Sequence, residues 1–202
     1  MFRTFVGFVM ISTAVVLPAT ADMAGRNLLL TPQVAIPIGS LRELAGGGAG
    51  VGVDWLRPID AELTFVASTA MLGFIRKTDP GVLHAAEGLL GLDETYTVDH
   101  EFEVVAVPFL VGIKYRSEEL FASLRLGDLL TRIDERTALY TNGTRRDAGF
   151  SSKAEHGVLL SVSAGVERND LPFAGVHLYF APGSRGLRGQ SHLTWLSVFV
   201  SL

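Results

Sequence analysis

The sequence predicts an all-β fold: an eight-stranded antiparallel up-and-down transmembrane β-barrel preceded by a signal peptide. Three observations predict it. Apolar residues recur at every second position in eight separate segments of the 202-residue chain. The connectors between those segments alternate between short and long. After the first twenty-odd residues no segment approaches 18 uninterrupted apolar residues, so no spanning helix is available, and an apolar chain is left with the closed barrel as its membrane solution.

Residues 1–21 are set apart first. Arg3 gives a positive start, Phe5 to Leu17 form an apolar run, Pro18 ends it, and Ala19-Thr20-Ala21 offers small residues at the positions a signal peptidase reads. That is the layout of an export signal cleaved after Ala21. The expected mature chain, residues 22–202, carries sixteen basic and twenty-one acidic side chains, a formal charge of −5. Its basic residues are scattered, which argues against nucleic acid as a partner. It has no cysteine, so no disulfide framework stabilises it.

The first expected strand places Leu28, Leu30, Val34, Ile36 and Ile38 on one face, with Pro32 and Pro37 weakening it. In the second, Ala49, Val51, Val53 and Trp55 alternate with Gly48, Gly50, Gly52 and Asp54; in the third, Leu63, Phe65, Ala67, Thr69 and Met71 alternate with Glu62, Thr64, Val66 and Ser68. The fourth carries Val107, Phe109, Val111, Ile113 and Tyr115 on one face. Just before it, Phe102, Val104 and Ala106 follow the opposite phase, which predicts a β-bulge at Ala106 to Pro108. The fifth alternates Leu120, Ala122, Leu124 and Leu126 with Phe121, Ser123, Arg125 and Gly127. The sixth, His156 to Val166, sets Val158, Leu160, Val162, Ala164 and Val166 against a mainly Gly/Ser face, the length a tilted strand needs to cross a bilayer. The seventh alternates Val176, Leu178 and Phe180 with Gly175, His177 and Tyr179. The last, Leu193 to Leu202, puts Leu196, Val198, Val200 and Leu202 on one face. The small residues of the other faces suit a narrow barrel whose interior is filled by side chains, rather than a water-filled pore.

Arg57-Pro58-Ile59-Asp60, Arg116 to Glu119 and Arg168 to Phe173 are short connectors, whereas Arg76 to Thr97 and Leu129 to Lys153 read as long loops. Short turns on one side and long loops on the other place both termini on the short-turn, periplasmic side. Within the first long loop, Pro80 to Gly91 is expected to form a short surface helix, and Asn142-Gly143 marks a turn in the second.

The nine-residue stretch Val107-Pro108-Phe109-Leu110-Val111-Gly112-Ile113-Lys114-Tyr115, together with the end Val198-Phe199-Val200-Ser201-Leu202, carries a resemblance. The chain resembles the small eight-stranded outer-membrane β-barrels, similar to the outer membrane protein A barrel and to outer membrane protein X. The resemblance implies a bacterial outer-membrane location, outer-membrane lipid as surroundings, and recognition of the last strand by the barrel assembly machinery through Val198, Val200 and Leu202. In the family this strand usually ends in Phe; here Leu202 takes that place. A monomer without cofactor is expected.

The inward charges Asp54, Glu62, Lys114, Arg125 and Glu167, with His177, form the candidate site: ionisable groups at membrane depth are costly and pair with one another. A structural cluster filling the lumen is the expected role. A proton or ion path is the sharper alternative. Trp55, Tyr115 and Phe180 near strand ends fit an interfacial aromatic girdle. The run Gly46 to Gly50 lacks the Lys-Ser/Thr and the helix of a phosphate loop. No complete catalytic motif is present. Two alternatives to a non-catalytic surface barrel remain: an outer-membrane lipid-modifying enzyme, favoured if His84, His100 and Glu101 converge, and a soluble periplasmic barrel binding an apolar ligand inside.

Overall fold

In the computed structural model, residues 28–84, 95–141, 144–168, 171–182 and 192–201 are described. The expected signal peptide, the Asn142-Gly143 turn and Leu202 lie outside them. Eight strands follow one another in sequence order: β1 (Leu28–Ile38), β2 (Ala45–Pro58), β3 (Leu63–His84), β4 (Thr95–Ser117), β5 (Leu120–Thr141), β6 (Thr144–Arg168), β7 (Leu171–Pro182) and β8 (His192–Val200). Each pairs antiparallel with the next, and β8 returns to β1, so the ring is a closed eight-stranded barrel. Closure is made at a short seam, six register pairs from Gln33↔Phe199 to Ile38↔Thr194, one of them Pro37↔Trp195. Pro37 brings no amide hydrogen to that ladder.

Alternation does what a pleated strand requires. In β6, Leu159, Ser161, Ser163 and Glu167 are buried inside the ring, while Val158, Leu160, Val162 and Val166 face outward. The same split holds around the ring, leaving an outward band of exposed apolar residues that includes Val34 and Ile36 of β1, Val51 of β2, Met71 of β3, Val111 of β4, Leu124 of β5, Val176 of β7 and Val198 of β8. Inside, adjacent walls come very close where glycine faces in. A Cβ at Gly127 would sit 1.9 Å from the Phe109 carbonyl oxygen, so any side chain there forces the two strands apart.

Three sequence expectations are corrected. No bulge lies at Ala106 to Pro108: β4 keeps one register against β5 through that stretch, and the shift is on β3, between Phe74 and Lys77. The change of phase is a change of lumen chemistry, because Phe102, Val104 and Ala106 point inward into an apolar core while Val107 and Phe109 point outward. The two long loops are largely strand. β3 and β4 pair out to His84↔Thr95, and β5 and β6 out to Thr141↔Thr144. Residues 80–84, expected in a helix, belong to β3, and 85–91 lie outside the described residues.

These extensions form a four-stranded sheet, β3 to β6, rising past the rim. Among the described residues, β3 beyond Arg76 and β6 before Leu160 are paired on one side only. Charged cross-strand contacts stitch the sheet: Arg76 to Glu101 at 3.0 Å, Arg145 to Glu101 at 3.1 Å, and Ser152 to Asp134 at 2.6 Å. At the rim, Gly39 turns the chain with a φ of +58°, a left-handed conformation that glycine adopts without strain. It leads into a one-turn helix, α1 (Leu41–Leu44), whose Leu41 and Leu44 are buried.

Candidate functional site

The lumen is layered. At the long-hairpin end an apolar plug joins Leu41 and Leu44 of α1 to Leu72 and Phe74 of β3, Phe102 and Val104 of β4, Leu129 and Ile133 of β5, and Trp195 of β8. At the short-turn end a smaller cluster of Leu29, Leu56 and Val66 packs with Leu171. Between them lies a polar layer built from the Ser, Thr and charged residues of the inward face.

Arg125 organises the middle of that layer. Its guanidinium donates to Asp54 Oδ1 at 3.1 Å, to Ser68 Oγ at 3.1 Å and to Ser123 Oγ at 3.1 Å. Ser123 in turn contacts Ser163 across the β5–β6 ladder. Arg125 and Asp54 are both buried, so each needs the other; a carboxylate alone in this layer would carry an uncompensated charge. Nearer the short-turn end Lys114 bonds Glu167, with Arg116 Nε 3.8 Å from the second carboxylate oxygen. Lys114 also lies 5.9 Å from the Phe121 ring centroid.

Five of the six expected lumen residues, Asp54, Lys114, Arg125, Glu167 and His177, are buried in the ring. They form two separate ion pairs, Asp54–Arg125 and Lys114–Glu167, with the His177 imidazole outside both, not one cluster. Glu62 is a correction. It is exposed in the turn before β3, beside the Tyr115 hydroxyl. Counting alternation back from Leu63 carried the strand one residue too far, because Asp60 closes the turn by accepting the backbone N–H groups of Glu62 and Leu63 at 2.8 and 2.7 Å. The aromatics Trp55, Tyr115 and Phe180 all face outward and exposed, Trp55 meeting Phe65 edge-on at 6.0 Å. Val198 and Val200 face outward as well.

His177 takes part in a column of rings that runs through the lumen. Phe74 meets Trp195 edge-on at 6.2 Å, Trp195 stacks on Tyr179 at 4.7 Å, Tyr179 on His177 at 5.5 Å, and His177 touches Phe199 at 4.4 Å, which lies 6.3 Å from Phe121. Tyr179 also shares a hydrogen bond with Gln33. The column links the apolar plug to the lower ion pair. Tyr179, Trp195 and Phe199 all carry the inward phase in the sequence, but nothing in one strand's alternation reveals that they stack across β7 and β8. Thr31, Gln33, Asp54, His177 and Tyr179 border a small cavity in the polar layer, with room for about one water molecule.

Of the three residues whose convergence would favour an enzyme, the consecutive His100 and Glu101 turn to opposite faces of β4. His100 Nδ1 lies 2.9 Å from Glu135 Oε1 and 3.5 Å from Thr137 Oγ1, while Glu101 meets Arg76 and Arg145. Neighbours in a strand point to opposite faces. His84 pairs with Thr95 through its backbone. Among the described residues no group of three or more His, Cys, Asp or Glu side chains is placed to hold a metal ion.

No family model matches the chain, and no curated protein does. Among solved structures the chain is similar to the crystal structure of Ail, the attachment invasion locus protein of Yersinia pestis, at 12% identity over 87% of this chain and 95% of that chain, with a TM-score of 0.46. It is also similar to Ail in complex with the heparin analogue sucrose octasulfate, at 11% identity, 87% and 97% coverage, and a TM-score of 0.46. The fold assignment rests on the closed ring of this chain itself.

Proposed function

We propose that this chain is an outer-membrane barrel without catalytic activity or a conducting pore, which presents the β3–β6 sheet for contacts outside the cell. The observation that carries the reading is the outward apolar band on all eight strands, set beneath a sheet whose outward face is charged. A band of that kind is stable in hydrocarbon and a liability in water. A soluble ligand-binding barrel needs the reverse, a polar exterior around an empty apolar interior. Here the apolar part of the interior is occupied by packed side chains.

On this reading residues 1–21 are the cleaved export signal, and Trp55, Tyr115 and Phe180 sit at the two membrane interfaces. The assembly machinery reads Val198, Val200 and Leu202, and Asp54–Arg125 and Lys114–Glu167 fill the lumen as structural pairs. The charges along the open sheet edges, among them Lys77 on β3 and Arg145, Arg146 and Lys153 on β6, guard against edge-to-edge pairing. The sheet then meets partners through its exposed faces.

Fractionation tests the location. The protein is expected in the outer membrane, with heat-modifiable migration in detergent gels; recovery as a soluble periplasmic protein overturns the assignment. Trypsin added to intact cells is expected to cut at Arg145, Arg146 or Lys153 and to leave the ring protected. Cutting there only after the cells are permeabilised would reverse the orientation.

A further inference from the structure

The outward band has one break in its chemistry. On β5 the outward residues run Leu120, Ala122, Leu124, Leu126, Asp128 and Leu130 before Arg132 begins the charged region. Asp128 is the one carboxylate or cationic side chain inside the band among the described residues. It stands opposite Phe109 on β4 and Val158 on β6, with Leu126 and Leu130 on either side. It makes no hydrogen bond or ion pair among the described residues. Lys and Arg reach out of such positions along their flexible stems. Asp has only two rotatable bonds and cannot climb past Leu130. An ionisable group on a lipid-facing wall marks a contact with something that answers its charge.

The answering group lies on the same wall. His156 of β6 stands opposite Leu130, outward and exposed, one row further toward the hairpin end than Asp128. No ion pair joins the two within the chain. Two copies inserted in the same direction are related by a two-fold axis along the membrane normal, which makes the interface self-complementary. With that axis placed midway between Asp128 and His156, each Asp128 faces the other copy's imidazole.

We propose that the outward face of β5 and β6 is a self-association surface, on which Asp128 of one copy pairs with His156 of a second copy and the reverse. In place of the monomer expected from the sequence, the protein is then a lateral dimer in the membrane. The proposal rests on the membrane reading above.

The chain has no cysteine, so single cysteines report the contact in membranes containing the full chain. Val158→Cys, beside the axis and opposite Asp128, is expected to form disulfide-linked dimers, and Ile36→Cys on the opposite wall is not. Introducing Asp128→Leu or His156→Leu beside Val158→Cys is expected to lower the dimer yield about tenfold, as the loss of charge-assisted hydrogen bonds predicts. The reciprocal pair Asp128→His with His156→Asp restores it. Heat-modifiable migration verifies folding of each variant. Equal cross-linking at both cysteine positions, a wild-type wall that never cross-links, or a yield unmoved by both Leu variants overturns the dimer. A protein absent from the membrane fraction fails the earlier reading instead.

Discussion

The apolar plug and the polar layer beneath it are built by the same strands, on the same inward faces, a few residues apart, yet they hold the barrel together in opposite ways. In the plug, Trp195 is fully buried between Tyr179 and Phe74; each contact is undirected, and stability grows with the apolar area removed from water. In the polar layer Arg125 is equally buried but meets three named oxygens at hydrogen-bond distance. Burying two charges brings little net gain over an apolar pair, while breaking one partner is expensive. The plug therefore supplies stability, and the polar layer supplies specificity of register. A one-residue slip of β5 would turn Arg125 toward the outward band.

Substitutions can separate the two regimes. Trp195→Ala is expected to have the largest effect, about 4 kcal/mol from lost contacts and an unfilled cavity, measured by denaturant unfolding in detergent or vesicles. Arg125→Leu is expected to cost about 3 kcal/mol by stranding Asp54, whereas Arg125→Leu with Asp54→Leu recovers much of that loss. If the double variant is as damaged as the sum of the two single ones, the layer is not an ion pair in any energetic sense and the contrast fails. The smallest effect falls outside both layers, at Asp60. The backbone N–H groups of Glu62 and Leu63 hold its carboxyl below the ordinary value of 3.8. With the folded value depressed, its contribution is present above the unfolded value and lost as pH falls through the folded one. Asp60→Asn is expected to lower stability slightly at neutral pH, to leave it unchanged in acid below the folded value, and so to flatten the acid limb of the stability curve.

The ring itself was legible because its outward face and its lumen carry opposite residue types, so each strand writes its own alternation. His156 to Val166 shows it most clearly. Legibility failed where that demand lapses. Beyond Ile133 on β5, and before Val158 on β6, charged and polar side chains occupy both faces of the hairpin, the alternation fades, and paired strands read as loops. It failed again at Phe102, Val104 and Ala106, where the lumen is as apolar as the exterior and a change of filling looks like a change of register. The inward positions of Asp54, Lys114, Arg125, Glu167 and His177 followed from phase alone. Their partners did not, since Arg125 and Asp54 are 71 positions apart and meet only when the ring closes.

That closure is uneven. β5 and β6 are laced from Leu120↔Val166 to Thr141↔Thr144, while the β1–β8 seam has six register pairs and spends one on a proline. A cylinder fastened this way has a clasp. That clasp is the shortest ladder of the ring among the described residues, and because Pro37 and Trp195 face each other in it, the ring column and the plug are complete only where the two ends of the sheet meet.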